Sequence, residues 1–443
     1  MKSRLLLGLA MTTLTLTTLT LAGCTKMFKK EKIPLEGDRE LVLLNQDVLR
    51  PNPEAVAVPV QLPAAQANRD WDQNGGCASH CMPPLALSDQ PKVVWTSSIG
   101  SSSGGSRRFL STPIVHDGQL YVLNADQEVQ AIDTTSGKQI WQQPIHPDEI
   151  SSHVLGGGIA YDQGNIYVAS AFAEVLALDA ASGAVKWRTP INSPARSAPT
   201  IKDGHVFVTT INNEVEAFDQ NTGQSLWSHS GITETAGLLG GASPAASAGI
   251  VVAPFSSGEI FALRPENGHP LWSESLASFK RVDSVSSLPH IRASPVIDQN
   301  LVFLVSHSGR TAALDVRTGS LVWDREIGGI QAPAVAGNFL FMVTTDSELV
   351  CLTRDRGLVQ WVTQLPRYTD EEEGTGKIVW QGPLLVENRL IVTGSTQEMI
   401  TVKAEDGKIV NQQRIPDSTS VPPIAAQGTL YLLTDGGDIV AMR

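Results

Sequence analysis

The sequence predicts an all-β fold, an eight-bladed β-propeller of four-stranded antiparallel blades. Three observations carry this. A short pattern, Ala-x-Asp-x3-Gly-x3-Trp, returns seven times between Asp133 and Asn411. Each copy is preceded by short runs rich in β-branched and aromatic residues, separated by turn residues. No long segment shows helical periodicity, which argues against βαβ units and a parallel sheet.

The clearest copies end in Trp141, Trp187, Trp227 and Trp323, and weaker ones in Trp272, Trp361 and Asn411. Successive Trp slots lie 46, 40, 45, 51, 38 and 50 residues apart. A period near forty-five marks one supersecondary unit repeated around an axis. The unit from Ser197 to Trp227 shows its parts. A Pro-opened run to Ile201 is the first strand, His205–Thr209 the second, Glu214–Asp219 the third, and Ser225–Ser228 the outer fourth. Lys202-Asp203-Gly204, Asn212-Asn213 and Asn221-Thr222-Gly223 supply the turns. Four such strands make one blade.

The first-strand signal, as in Thr112-Pro113, Ala198-Pro199 and Ser294-Pro295, occurs eight times. The last copy stops at Ile439–Arg443, a third strand without an outer one, while Pro91–Trp95 stands alone before the first set. The N-terminal strand is therefore expected to complete the C-terminal blade, closing the ring and removing open edges. Trp95, Trp141, Trp187, Trp227, Trp272, Trp323 and Trp361 are read as blade-packing residues whose indole N–H needs a partner. Gly permits the turn and Asp bonds its amides. Arg264, Thr353 and Lys403 replace that Asp, and Cys351 sits in an Ala slot as a small buried thiol.

The organisation read from the chain is a signal peptide over 1–23, a lipidated flexible tether over 24–88 and the propeller over 89–443. Lys2 and Arg4 precede an apolar run that ends in Leu21-Ala22-Gly23-Cys24. This is an export signal, and its cut site resembles the bacterial lipobox, which makes Cys24 the lipid-attachment residue. By the rule of the lipoproteins this cut site resembles, Asp after the Cys retains the protein at the inner membrane, so Thr25 implies the outer membrane. Removing residues 1–23 removes two positive charges, taking the formal net charge from −12 to −14. An acidic body argues against nucleic acid and against direct docking on anionic lipid. Scattered Pro, Ala, Gln and Asn from 33 to about 70 read as an extended linker.

Cys77 and Cys81 stand four apart in an exported chain, and a local disulfide is the favoured reading. A metal site and free thiols are the alternatives. Only His80 could join a metal site, and haem attachment needs His where Met82 stands.

The repeat resembles the eight-bladed propellers of the pyrroloquinoline-quinone type, over about four-fifths of the chain. Two branches matter: the quinoprotein alcohol dehydrogenases, and the BamB lipoproteins of the machine that inserts β-barrels into the bacterial outer membrane. The lipobox, the tether and Ser306–Arg310, Ile327–Ile330 and Trp380–Pro383 resemble the BamB branch. The dehydrogenases hold quinone under adjacent cysteines, with Glu, Asn and Asp on calcium and an Asp base. This chain has no Cys-Cys pair and lacks their inserted loops; Asp370–Glu373 is its only dense acidic run, the composition of a solvated loop. The expectation is therefore a non-catalytic scaffold without cofactor or metal, with a quinone- and calcium-dependent enzyme and a scaffold for another envelope complex as alternatives. The resemblance implies docking to a POTRA domain of the barrel-inserting subunit BamA, alongside other assembly subunits, through Ile191, Pro194, Ala195 and Arg196 and through His290, Ile291 and Arg292. The second loop departs from the family pattern, which carries acidic residues where His290 and Arg292 stand. Outer strand edges are also available to pair with unfolded outer-membrane clients.

Overall fold

The computed structural model describes residues 49–104, 108–146, 154–234, 237–277 and 289–443. The predicted signal peptide and Cys24 lie outside them. Eight four-stranded antiparallel sheets form an eight-bladed propeller. Blade 1 comprises Ile114–His116, Gln119–Leu123, Glu128–Asp133 and Gln139–Pro144. Blade 2 runs from Gly158–Asp162 to Val185–Pro190, blade 3 from Thr200–Lys202 to Ser225–Ser230, and blade 4 from Ala245–Ser247 to Pro270–Ser275. Blade 5 opens with Val296–Asp298, blade 6 with Ala334–Ala336, blade 7 with Trp380–Val386 and blade 8 with Ile424–Ala426. A small hairpin, Tyr368–Asp370 with Thr375–Lys377, projects between blades 6 and 7.

Blade 8 is finished as its sequence requires. Val93–Ser98 pairs antiparallel with Asp438–Met442, in register Trp95↔Ala441 through Ser98↔Asp438. This closes the ring with main-chain hydrogen bonds and leaves no unmatched seam.

The repeated residues solve one packing problem per blade. Each Trp sits opposite the small slot of its own third strand, as in Ala131↔Trp141 and Ala217↔Trp227, at a β-bulge. Its indole then crosses to the next blade. Trp95 donates to the Thr134 carbonyl at 3.0 Å, Trp141 to Ala180 at 3.0 Å, Trp227 to Pro265 at 2.7 Å and Trp361 to Ala404 at 2.9 Å. The Gly of that next turn lies beneath the ring: a Cβ on Gly137 would come within 2.8 Å of Trp95, and one on Gly223 within 2.4 Å of Trp187. The turn Asp holds the loop. Asp219 accepts from the amides of Asn221 and Thr222 and from the Thr222 hydroxyl, which keeps its carboxyl below the usual range.

Asn411 departs from the pattern for a topological reason. The indole of blade n docks on the turn between third and fourth strands of blade n+1. In blade 8 those strands are not joined by a turn, because the fourth comes from Val93–Ser98. Blade 7 has nothing for an indole to reach, and Asn411 bonds Gln413 instead.

The expected flexible tether over 24–88 is corrected from residue 49 onward. Residues 66–86 circle the channel end and touch the innermost strand, or the residues at its start, in every blade. Asn68 donates to Ala425 in blade 8, Trp71 pairs with Val115 in blade 1, and the Asp72 carbonyl accepts from Tyr161 in blade 2. The Gln73 side chain both donates to and accepts from Ile201 in blade 3. Ala78 and Ser79 carbonyls accept from Ala246 and Ile297 in blades 4 and 5, Cys81 lies against the Val335 carbonyl of blade 6, and Leu85 pairs with Val386 in blade 7. Trp71 and Leu85 are buried in the core shared by blades 7, 8 and 1. Composition alone missed this because backbone groups and isolated single side chains, polar and apolar, make the contacts.

Candidate functional site

The first predicted loop, 191–196, links blades 2 and 3 and is pinned by its backbone. Ile191 donates to Ala173, Ala195 to Ser170, and the carbonyls of Pro194 and Ala195 accept from Ile211 and Gly157. Ile191 and Ala195 are buried, Pro194 and Arg196 half-buried, and Asn192 exposed. Asn192 is fixed by Glu216 and Glu214. Burial raises the Glu216 carboxyl above its ordinary pKa.

In the second loop, Leu288 lies outside the described residues. His290 and Ile291 are buried rather than offered at the surface. His290 Nδ1 accepts from the Leu238 amide at 2.8 Å, and the His290 carbonyl accepts from His307. Burial, then the charge of Arg292, lowers His290 to about 4, so the ring is neutral. Ile291 packs in the core between blades 4 and 5.

The structure does bring the loops together. Arg196, His290 and Ile291 line one cavity of about 210 Å³, beside segment 237–242. Arg292 goes elsewhere: it lines the central cavity. Its direction is the main correction to the predicted set.

Sequence reasoning missed three neighbours. Ile211, Ile232 and Leu239 are exposed aliphatic side chains, Ile232 at 62%. Ile211 lines the same cavity as Arg196, Ile232 accepts from Asn213 through its carbonyl, and Leu239 sits in the connector that covers Arg196. Ile211 had a signal. Three residues before the first residue of the third strand, or its Arg310 equivalent, the other repeats carry Ala125, Ala171, Ser256, His307, Thr345, Ser395 and Asp435. Only blade 3 puts a large aliphatic there.

The expected Cys77–Cys81 disulfide is not formed in the structure; both thiols are free. Cys77 Sγ faces Ser79 Oγ and the Cys81 carbonyl, each at 3.3 Å, whereas Cys81 Sγ turns toward Val335. Burial pushes the Cys81 thiol up to about 12.

A family model described as outer membrane protein assembly factor BamB matches residues 86–153 and 125–363. BamB of Vibrio cholerae is 31% identical over 373 residues, 82% of this chain and 93% of that protein. BamB of Escherichia coli K12 is 26% identical over 366 residues, 82% of this chain and 91% of that one. Among solved structures, BamB from Moraxella catarrhalis superposes with a TM-score of 0.69 at 17% identity, covering 80% of this chain and all of that one. A europium-containing methanol dehydrogenase superposes at 0.66 with 15% identity, covering 84% and 98%. These two likenesses concern the fold.

The second raises the question of a quinone and its metal. Among the described residues the lining of the central cavity holds no Asp or Glu; it includes Trp71, His80 and Leu85. A hard cation needs six or more oxygen ligands, several of them carboxylates. Among the described residues no group of three His, Cys, Asp or Glu is placed to hold a metal. The donor set does not fit that cofactor. By the matched model and the extent of its curated relatives, the chain belongs to the BamB family of outer membrane protein assembly factors.

Proposed function

We propose that the protein is a non-catalytic docking ring in bacterial outer-membrane protein assembly, attached through lipid on Cys24 and facing the periplasm. Its partner in this reading is a POTRA domain of BamA, with other assembly subunits nearby. The observation that carries the reading is a convergence. Arg196 and exposed Ile211 line one cavity, exposed Ile232 is bonded through its carbonyl to Asn213 on the same wall, and exposed Leu239 stands in segment 237–242 beside it, next to the loops where the resemblance places partner contacts.

An Arg among aliphatic side chains has the composition of an interface hot spot. The loop that bears it is tied to blades 2 and 3 by main-chain hydrogen bonds, so binding orders little that is not already ordered. The contact falls on Asn192, Pro194 and Arg196 rather than on Ile191, Ala195, His290 and Ile291, which are buried. The export signal and the lipobox cysteine support the membrane attachment.

Unfolded clients are a second reading. Outside blade 6, whose outer strand is bonded by Asn52 and Val58, the outer strands have no strand partner on one edge and expose Ile140, Leu226, Leu271, Leu321 and Ile409.

The test is cross-linking in intact cells from a photoreactive residue at Asn192. The expected product is an adduct with the POTRA-bearing subunit, lost on Ile211→Asp. An adduct with a different envelope protein, or one indifferent to Ile211→Asp, defeats the reading.

A further inference from the structure

We propose that the central cavity is a binding site for a small anion, a single carboxylate or phosphate group held by Arg292. The cavity measures about 150 Å³. One water needs roughly 10–15 Å³ by this measure, so several waters or a small organic acid fit.

Among the described residues on its wall, Arg292 is the only one that carries a charge near neutral pH. His80 is there too, but burial lowers it to about 4, so it is neutral. The guanidinium has no hydrogen-bond acceptor and no acid partner among the described residues. Burial alone shifts it, downward, and no nearby carboxylate offsets that.

Such a group is anomalous. Arg292 is half-buried, and its guanidinium offers five N–H donors in a planar fork with only cavity solvent to receive them. The fork matches a carboxylate or phosphate bidentately. Thr112, Ser294 and Ser420 lie on the same wall and can supply further hydroxyls.

The backbone makes room for the guanidinium. Gly240 takes φ +96, and a Cβ there would stand 3.0 Å from Arg292 Nε. Behind it lies Arg196, whose Nε is buried without an acceptor. Gly240 and Gly241 border both cavities, so positive potential extends from the rim toward the centre. The inference does not rest on the docking reading, since Arg292 faces the cavity rather than the rim.

The test uses the full chain in an anion-poor buffer, titrated with inorganic phosphate and, separately, acetate. Ionic strength is held constant with chloride, and binding is read by calorimetry and by Tm. The expected result is saturable binding with a Tm rise on the order of 1–3 °C, which Arg292→Met abolishes. That variant should be no less stable than the parent without anion, because an uncompensated charge has gone. The phosphate and acetate arms separate the two headgroup chemistries. No saturable response to either, or an equal response in Arg292→Met, overturns the proposal. Arg292→Lys covers the case in which Arg292→Met does not fold. It keeps the charge without the fork and should bind at least tenfold more weakly; equal affinity overturns the bidentate site.

Discussion

Two glycines separate the conformational from the steric part of the blade motif. Gly204 and Gly223 belong to the same blade, at φ +80 and +71. A Cβ on Gly204 meets nothing within 4 Å. One on Gly223 falls 2.4 Å from Trp187 Cε3 and 2.9 Å from Thr189 Oγ1. Alanine in the left-handed region costs about 1–2 kcal/mol, offset by about 0.4–1 kcal/mol from the stiffer unfolded chain. Gly204→Ala should therefore destabilise by about 1 kcal/mol. Gly223→Ala must also move the indole by about 1 Å, an overpacking cost of about 1–3 kcal/mol. It further weakens the Trp187 bond to the Gln220 carbonyl, at 3.3 Å, by up to about 1 kcal/mol. The expected total is about 2–5 kcal/mol. Urea unfolding of both variants, with the m-value checked for constancy, measures the difference. If the two midpoints shift equally, the glycine is needed for its turn alone, and the account of inter-blade docking is wrong.

Gln73→Ala removes two buried hydrogen bonds to Ile201, at 3.0 and 2.9 Å, and should cost about 2 kcal/mol. Amide exchange at Ile201 should rise with it; unchanged protection would refute the loop's role as a clasp. Stability should also fall on acidification through His80. Its Nδ1 bonds the Pro295 carbonyl and its Nε2 is buried without a partner. Burial lowers it from 6.5 to about 4, so the unfolded chain takes up the proton first. The contribution is whole above about pH 6.5 and is lost progressively toward pH 4, by on the order of 3 kcal/mol. The slope of unfolding free energy against pH in that window should be shallower in His80→Gln, and an unchanged slope counts against it. Finally, Asn411→Trp should leave the urea midpoint within about 0.5 kcal/mol of the parent, because blade 8 offers no turn for the indole. A clear gain would show that the missing Trp has another cause.

The propeller was legible because each blade repeats one local problem. Trp141, Gly183 and Asp179 recur in kind because an indole, a turn without a Cβ and an amide-binding carboxylate are needed at every junction. Closure was legible for a similar reason: a third strand at Ile439–Met442 and an orphan strand at Val93–Trp95 leave one pairing that satisfies both. The loop 66–86 was not legible. Its contacts mix main-chain groups with single side chains such as Asn68 and Gln73, each aimed at a different strand, and such pairing leaves no period in the sequence. The rim was half legible. Arg196 was singled out by the family resemblance, not by the repeat, and Ile211 stood out once the repeats were aligned. Whether Arg292 pointed to the rim or to the channel depended on Gly240, fifty-two residues away in sequence.

That loop changes what kind of object carries the rim. A ring closed only by Val93–Ser98 could open by releasing a single strand pair. Here residues 66–86 also bridge from Ala425 in blade 8 through Val115, Tyr161 and Ile201 to Ala246, Ile297 and Val386. Opening any junction would break contacts on both sides of it. The rim loops of blades 2 to 5 therefore stand on a frame braced twice, at the outer strand of blade 8 and across the channel. A surface held this way binds with little loss of freedom, so its affinity depends on the few side chains it exposes. Ile211→Asp should then weaken partner binding without moving the urea midpoint, whereas Gln73→Ala should move the midpoint and leave partner affinity intact below it. If Gln73→Ala weakened binding under fully folded conditions, the brace would be tuning the rim itself, and a rigid frame would no longer describe the molecule.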